Sequence, residues 1–473
     1  MKFSIPFLAT LASTSQLVAA STDQANADQI TDLLPGQKEK APFKHYSGYL
    51  PVDDKPNGKK IFYWYFESEQ SPENDPVVLW TNGGPGCSGI MGLFIENGPF
   101  FPDQEGNLNM NEFSWNKIAN VLFVEQPAGV GFSYSEDEAD YTTGDDQAAV
   151  DNHRLVLEFL ERFPERKPNE FYITSESYGG HYMPQLAKEI VDNNADGAIN
   201  FKGFAVGNPY TNAFTNNVAQ YRAYYYNGLV PAPTYKKWNE LCASSQADHV
   251  KNLQNCTILE GIMNEKMTNG INPYALDYPT CPGGAAIQAA VSPQAQRLQH
   301  FSAGVPLSES IPKYDPCVTN YLVDYLNTPA VKEAIHAKAD IEWGTCSNIV
   351  NYAEKDMERD TAPLYNYLID GGFDLNILVY SGDDDAICAM TGTHEWIWEL
   401  GYEPKRGQLW NTWMTEVEDY GKQISGYYTH FEAKEGGKHG LSFATVHGAG
   451  HEVPTYKPKQ ALELLGKYLS GEW

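Results

Sequence analysis

A strand-turn-helix pattern around Ser177 constrains the fold of this chain more than any other feature of its sequence. The run Glu170–Thr174 is aromatic and β-branched, as strands are, and the apolar residues of His181–Val191 recur at helical spacing. Between them, residues 175–179 read Ser-x-Ser-x-Gly, which predicts a nucleophile elbow that lifts the Ser177 hydroxyl out of a sheet. Ser175 stands where the usual pattern has glycine. A solvated turn is the alternative, because short motifs recur by chance.

A glycine-rich turn follows a second apolar strand, predicted at Pro76–Trp80. It begins at Asn82 and reads Asn-Gly-Gly-Pro-Gly-Cys-Ser. In hydrolases that use an elbow, such a loop supplies one backbone N–H to the oxyanion, and the residue after the nucleophile, here Tyr178, supplies the other. A glycine-rich turn without a catalytic role is the alternative, but it leaves the pairing with an elbow unexplained.

Six further blocks accompany these two motifs in order. They are Tyr46–Leu50, Glu96–Pro99, Gln126–Ser135, Gly207–Pro209, Ser381–Asp385 and Gly448–Pro454. Together the blocks resemble the serine carboxypeptidases, a family of acid-active peptidases with the α/β-hydrolase fold. The resemblance implies a mostly parallel central sheet that is flanked by helices and interrupted by an inserted lid.

The acidic partner of the nucleophile is expected after a buried-type strand at 376–380. Chain order in α/β-hydrolases is serine, then acid, then histidine, and this strand ends at three aspartates, Asp383, Asp384 and Asp385. The carboxyl edge of an open α/β sheet is where ligands bind. The family resemblance selects Asp385, with Asp383 as the fallback. An acidic loop or a metal site are the alternatives, and a metal site is disfavoured because one ligand type is present.

Two histidines follow the last predicted strand, 443–446. The family resemblance selects His451 as the catalytic base and leaves His447 as a structural histidine. The implied mechanism is acyl transfer: Ser177 attacks, His451 moves the proton and Asp385 fixes its tautomer. The N–H groups of two residues, Gly84 and Tyr178, are expected to bind the oxyanion. No metal or cofactor is expected.

Recognition of a free C-terminal carboxylate distinguishes a carboxypeptidase from an esterase. The resemblance implies that this site consists of Asn82, Glu96, Glu176, the Gly83 backbone and Trp80. Two carboxyl groups held together share a proton, so at acidic pH one of them can donate a hydrogen bond to the substrate anion. The alternatives are a helix N-terminal acid for Glu176 and a solvated surface position for Glu96.

The pocket for the leaving residue is less clearly marked. The family resemblance places Glu452 there beside Cys388, and we also assign Tyr134 to the specificity pocket. A carboxylate at Glu452 favours C-terminal lysine or arginine, unless it is merely solvated or protonated in acid.

The net charge of the chain limits the classes of molecule that it can bind. The chain has 61 acidic and 33 basic residues and a formal charge of −28, which disfavours nucleic acids and acidic membrane surfaces. We expect peptide or protein substrates with a free C-terminus, and a monomer or homodimer. Two alternative functions remain open: a related acyltransferase or hydroxynitrile-lyase-like enzyme, and a non-catalytic secreted partner protein.

The cysteines and the N-terminus indicate the secretory pathway. Residues 1–20 resemble a signal peptide, and no later run of the sequence reaches the length of a membrane span. The destination is either extracellular or a vacuole or lysosome. Seven cysteines predict three bridges and one free thiol. The resemblance implies the pairs Cys87–Cys346, Cys242–Cys256 and Cys281–Cys317, with Cys388 free. Asn255 is the candidate glycosylation site.

The organisation follows from where strands alternate with helices. We expect a hydrolase core in two parts, 21–211 and 316–473, and an inserted lid subdomain at 212–315. The inserted segment differs from the core in composition, because its cysteines and prolines are clustered.

Overall fold

The protein is described by a computed structural model. It describes residues 21–267, 270–281, 314–417, 420–433 and 440–473. The predicted signal peptide, 1–20, therefore lies outside the described residues, as do the positions from 282 to 313 of the inserted segment.

One sheet of eleven strands organises the described residues. Its strands, numbered in chain order, are β1 Gln29–Ile30, β2 His45–Pro51, β3 Lys60–Phe66, β4 Val77–Thr81, β5 Asn120–Val124, β6 Phe171–Glu176, β7 Phe201–Gly207, β8 Asn376–Gly382, β9 Asn411–Val417, β10 Gly421–His430 and β11 Leu441–Val446. Their order across the sheet is β1-β2-β3-β5-β4-β6-β7-β8-β11-β10-β9.

The centre of the sheet is parallel and its margins are antiparallel. The neighbours from β5 through β4, β6, β7 and β8 to β11 are parallel, whereas β1 to β3 and β9 to β10 add antiparallel edges. Every residue of β4 and β6 is buried, because helices cover both faces of the parallel part. The sheet is thus mixed, with the predicted parallel strands at its core.

Helices pack on both faces of this sheet. In chain order α1–α15 they are Asp23–Asp28, Gly89–Ile95, Asp145–Arg162, Gly179–Asn193, Ala213–Tyr226, Ala232–Cys242, Gln246–Lys251, Leu253–Met267, Val318–Leu326, Pro329–Ala334, Glu354–Met357, Ala362–Asp370, Met390–Glu399, Val453–Tyr456 and Pro458–Ser470. Alternation along β4 sends Trp80 into one apolar cluster and Leu79 into the other. Among the described residues, no helix is both long and apolar enough to cross a membrane.

The chain leaves the main sheet at Gly207 and returns to it at Asn376. The first part of this excursion is helical and has an apolar cluster of its own, which includes Trp238 and Met263. Helix α5 begins there, capped by the Asn212 side chain, at the start of the segment expected to be a lid.

The bonded cysteines are the pairs that the family resemblance implied, Cys87–Cys346, Cys242–Cys256 and Cys281–Cys317. Cys388 is unbonded and buried. Asn255 is exposed on α8, next to the bonded Cys256.

Candidate active site

The turn between β6 and α4 holds Ser177 in a left-handed conformation. Its φ is 58°, a region that non-glycine residues rarely occupy. The Ser177 N–H donates to the carbonyl of Gly207 at 3.0 Å, and its own carbonyl accepts from Gly180 and Tyr210 at 2.9 and 2.7 Å. Three backbone hydrogen bonds therefore stabilise a strained residue at the carboxyl edge of the sheet.

The glycine-rich loop lies against this turn. A Cβ at Gly83 would stand 2.5 Å from the Tyr178 nitrogen and 2.9 Å from the Ser177 Cβ, so only glycine fits there. The Tyr182 hydroxyl accepts from the Gly86 N–H at 3.2 Å and ties the loop to α4. Within the described ranges, the N–H groups of Gly84 and Tyr178 donate to no protein atom. Both are free to bind a developing oxyanion.

A buried aspartate orients one histidine at the same edge of the sheet. The Asp385 Oδ2 lies 2.8 Å from His451 Nδ1, and both side chains are almost fully buried. Asp385 also accepts hydrogen bonds from the Asn208 amide at 2.8 Å and from the N–H groups of Ile387 and Cys388. These donors hold the Asp385 carboxyl group in a fixed position against the imidazole of His451.

The other ring nitrogen of this histidine, His451 Nε2, is buried and has no hydrogen-bond partner in the part of the chain that the structure describes. Burial lowers the pKa of His451, but the charge and hydrogen bond of Asp385, together with the charges of Glu452 and Glu96, outweigh burial and raise the net pKa to about 9. Asp385 thus holds one ring nitrogen of His451, and the other has no protein partner among the described residues.

The neighbouring aspartates have different partners. Asp383 lies 2.7 Å from His447 Nδ1 and accepts from the Gly448 N–H at 2.7 Å, and the His447 side chain is 72% exposed. Asp384 accepts from the N–H of Asp277 at 3.0 Å. The structure thus pairs His451 with Asp385 and leaves Asp383 to the surface histidine.

A short segment of the insertion, residues 272–278, crosses the loops that carry the acid and the histidine; we call it the strap. The Tyr274 carbonyl accepts from the His451 N–H at 2.7 Å, and the Pro273 carbonyl accepts from the Ala386 N–H at 3.0 Å. The Tyr274 ring also packs edge-on against the imidazole of His451, 5.2 Å between centroids. The insertion therefore fixes the backbone of both loops.

Four of the residues expected to bind a carboxylate form one buried cluster: Trp80, Asn82, Glu96 and Glu176. The Asn82 amide donates to Glu96 Oε1 at 2.7 Å and to Glu176 Oε1 at 2.8 Å. Its oxygen accepts from the indole N–H of Trp80 at 2.9 Å and from the N–H of Gly92, which fixes the orientation of the amide. The two carboxyls are thereby held side by side, and Glu176 directly precedes Ser177 in the chain.

Burial sets the protonation of this cluster. Desolvation raises the pKa of Glu96, and the nearby carboxylate of Glu452 adds to the rise. Desolvation also raises the pKa of Glu176 far above its usual value, followed by the charges of Glu96 and Glu452. The two carboxyl groups also share a hydrogen bond with each other. The pair therefore retains protons in acid.

The residues expected to form the specificity pocket are only partly brought together. Glu452 is buried beside the carboxyl pair, accepts from the Tyr456 hydroxyl at 3.2 Å, and has a pKa raised by burial. Cys388 is buried near Ser177, and burial followed by the charge of Asp385 raises the pKa of its thiol.

The third residue assigned to that pocket, Tyr134, lies elsewhere. Its backbone pairs with Lys60 at the start of β3, its ring packs edge-on against Tyr49, and the Lys338 ammonium lies 4.3 Å from the ring centroid. The assignment to the pocket is therefore corrected: Tyr134 packs on the antiparallel margin of the sheet, because the chain after Pro127 turns back toward β3.

The family model of the serine carboxypeptidases matches residues 35–471. The chain belongs to the serine carboxypeptidase family. Serine carboxypeptidase 24 of Arabidopsis thaliana is 35% identical over 482 residues, covering 98% of this chain and 97% of that relative. Putative serine carboxypeptidase-like 30 of the same plant is 38% identical, covering 94% of this chain and 89% of the relative.

A solved structure supports the fold of this family member. The chain is similar to Kex1, a prohormone-processing carboxypeptidase from Saccharomyces cerevisiae, with a TM-score of 0.76 at 20% identity, covering 94% of this chain and 96% of that one. The predicted family and the α/β-hydrolase fold class are confirmed.

Several residues at the site were given no role by the sequence. Asn208, which donates to Asp385, lies in the Gly-Asn-Pro block, so a polar residue directly after a buried strand could have marked it. Tyr274 carried no such signal, because its contact with His451 joins segments 177 residues apart, 451 minus 274. Asp145, discussed below, was also missed.

Proposed function

We propose that this family member is an active serine-type carboxypeptidase that releases C-terminal amino acids from peptides and proteins at acidic pH. The observation that carries this proposal is the position of the carboxyl pair: Asn82 holds Glu96 and Glu176 side by side, and Glu176 is joined by a peptide bond to Ser177. An esterase without a carboxylate to recognise has no need for two buried acids at its nucleophile.

Ser177 Oγ attacks the carbonyl carbon of the last peptide bond, and His451 Nε2 accepts the hydroxyl proton. The N–H groups of Gly84 and Tyr178 bind the resulting oxyanion. His451 then gives its proton to the leaving amine, which departs as the free C-terminal amino acid and leaves an acyl-enzyme. Water, deprotonated by the same imidazole, attacks the ester and releases the shortened peptide. The Asp385 carboxylate, which faces Nδ1, stabilises the imidazolium.

The carboxyl pair supplies the preference for a free C-terminus and for acid. A protonated glutamic acid donates a hydrogen bond to the substrate carboxylate, whereas two ionised glutamates repel it. Because the pKa values of Glu96 and Glu176 are raised, this donor is present at low pH and is lost as the pH rises through them. Protonation of Glu96 also removes one of the charges that raise the pKa of His451.

Hydrolysis of a blocked dipeptide and of its C-terminal amide, measured across acidic to mildly alkaline pH, tests the proposal, with Ser177→Ala as the control. We expect release of the last residue that is fastest in acid, much slower on the amide and absent in the variant. Cleavage of a simple ester without release of the last residue would keep Ser177 as nucleophile but assign the chain to acyl transfer or ester hydrolysis.

We also propose that Glu452 and the neighbouring tyrosines line the pocket for the leaving residue. The Glu452 carboxyl faces rings that include Tyr456, and Tyr456 itself packs against Tyr278 at 4.6 Å. The cation of a bound lysine or arginine stabilises the ionised form of Glu452 against burial, and aromatic walls also favour a cation, so C-terminal lysine and arginine are the proposed substrates. Equal cleavage of C-terminal leucine, phenylalanine and arginine by the wild type and by Glu452→Met would contradict this.

The bonded cysteines favour an oxidising compartment. We therefore propose that the protein follows the secretory pathway, to the exterior or to an acidic vacuole or lysosome. Fractionation with a compartment marker tests this.

A further inference from the structure

A buried carboxylate behind the elbow has no role in the chemistry described so far. Asp145, the first residue of α3, is 2% exposed. Its Oδ1 accepts from the hydroxyls of Tyr178 and Tyr352 at 2.9 and 2.7 Å, while its Oδ2 accepts from the Gln185 amide at 2.7 Å and lies 2.9 Å from His181 Nδ1. We call these five residues the Asp145 cluster.

The cluster is built around a charge that persists in acid. Burial raises the pKa of Asp145, but the hydrogen bonds from His181 and Tyr352 outweigh burial, and the net pKa lies below the usual aspartate range. Its backbone N–H is held by the Asp356 carboxylate at 3.0 Å. Asp145 is therefore a fixed anion under conditions in which the glutamate pair is protonated.

The cluster reaches the reaction centre through Tyr178. This residue directly follows Ser177, and its ring stacks on His181 with centroids 4.4 Å apart and planes 16° apart. The Tyr352 ring packs edge-on against the Tyr178 ring, with centroids 5.6 Å apart. A serine at positive φ is strained and keeps that conformation only where its surroundings impose it. The anchored Tyr178 side chain imposes it from the C-terminal side of the turn.

We propose that Asp145 is a positioning residue for acyl transfer, which holds the Tyr178 hydroxyl and thereby aims the Tyr178 N–H at the oxyanion. This rests on the proposed function, since it requires that Ser177 generates an oxyanion. Charge on that oxygen develops only in the transition state, so loss of the anchor lowers kcat and leaves KM unchanged.

A matched pair of variants tests this, because Tyr178→Phe and Tyr352→Phe each remove one hydroxyl from the same Asp145 Oδ1. We expect both to lower Tm to a similar extent. Removing an oxyanion donor costs about 10²- to 10³-fold in kcat; Tyr178→Phe loosens the donor without removing it, so we expect a fall of about tenfold at constant KM. Tyr352→Phe should stay within about twofold of wild type.

The assays use the blocked dipeptide and an activated ester, since ester turnover that stops in Ser177→Ala reports acylation whether or not peptides are cleaved. A wild type that cleaves only the ester contradicts the proposed function and leaves this comparison intact. Equal kcat losses in the two tyrosine variants, an unchanged kcat in Tyr178→Phe, or a change confined to KM would each overturn the proposal. Turnover of neither substrate by the wild type would overturn both. Asp145→Asn, where it folds, should reproduce the fall in kcat.

Discussion

Two Asp–His pairs join the same two loops of this molecule, yet their surroundings differ. Asp385–His451 is buried, with an N–O distance of 2.8 Å and side chains 0% and 2% exposed; Asp383–His447 has a similar distance, 2.7 Å, but its side chains are 28% and 72% exposed. In the buried pair the aspartate also accepts from Asn208, and the histidine backbone is held by the strap. The two pairs therefore share their hydrogen-bond geometry and differ in burial and in fixed neighbours, and this difference is why we propose the buried pair as the catalytic one.

The largest expected difference between the pairs is in turnover. Asp385→Asn should lower kcat by about 10³- to 10⁴-fold, because the amide stabilises the wrong tautomer of His451 and cannot balance an imidazolium. Asp383→Asn should leave kcat within about threefold, since Asn keeps an oxygen for the Gly448 N–H. Both are measured as initial rates on the blocked dipeptide. Comparable losses in the two variants would contradict the proposal that only the buried pair takes part in catalysis.

The next largest expected effect is the dependence of KM on pH, which the glutamate pair controls. For the wild type, KM should rise by up to about tenfold per pH unit once the pH exceeds the pKa of the last shared proton, because the hydrogen-bond donor to the substrate carboxylate is then lost. Glu176→Gln carries an amide donor at every pH, so its KM should vary little. KM is measured from acidic to mildly alkaline pH. Parallel KM profiles for the two enzymes would contradict the proposed role of the pair.

The strap gives a smaller expected effect. Asp384→Ala removes the acceptor for the Asp277 N–H, which loosens the strap over the loops of Asp385 and His451. Because small misplacements of catalytic groups are costly, we expect kcat to fall by about tenfold at constant KM. Asp383→Ala is the control in the same loop. A larger loss in the control would mean that the surface pair, and not the strap, positions the histidine.

The smallest expected effect concerns stability. An exposed ion pair contributes about 0–1 kcal/mol and is screened by salt, so His447→Gln should change the free energy of unfolding by less than about 1 kcal/mol. The change should shrink further at about 0.5 M salt. Urea unfolding at low and high salt measures it. A larger, salt-independent loss would show that His447 has a structural role beyond the ion pair.

Much of the site could be predicted because its residues lie in local patterns. The elbow, the glycine-rich turn and the aspartates after β8 each follow a buried strand, and parallel strands bring their carboxyl ends to one edge. The partner of His451 could not be predicted from local pattern alone. Asp383, Asp384 and Asp385 are adjacent after the same strand, so the prediction of Asp385 needed the family resemblance.

Ser175 shows how a departure from a motif is accommodated. Its Oγ would stand 2.2 Å from a Cβ at Gly179, so glycine at the end of the motif leaves room for the hydroxyl at its beginning. Both residues are visible in the sequence, Ser175 at the start of the motif and Gly179 at its end. Only the folded turn shows that they lie against each other.

The sequence by itself determined the family and the α/β fold and indicated candidate residues for acyl transfer, because strand periodicity and turn chemistry are local properties and the family motifs follow one another in order along the chain. Tertiary structure decided which aspartate meets which histidine, that Tyr134 packs beside Tyr49 and Lys338, that the strap contacts the loops of Asp385 and His451, and that Asp145 holds the Tyr178 hydroxyl. Those contacts join residues distant in the chain, and the burial that raises the pKa values of Glu96 and Glu176 exists only after the sheet and its helices have closed around them.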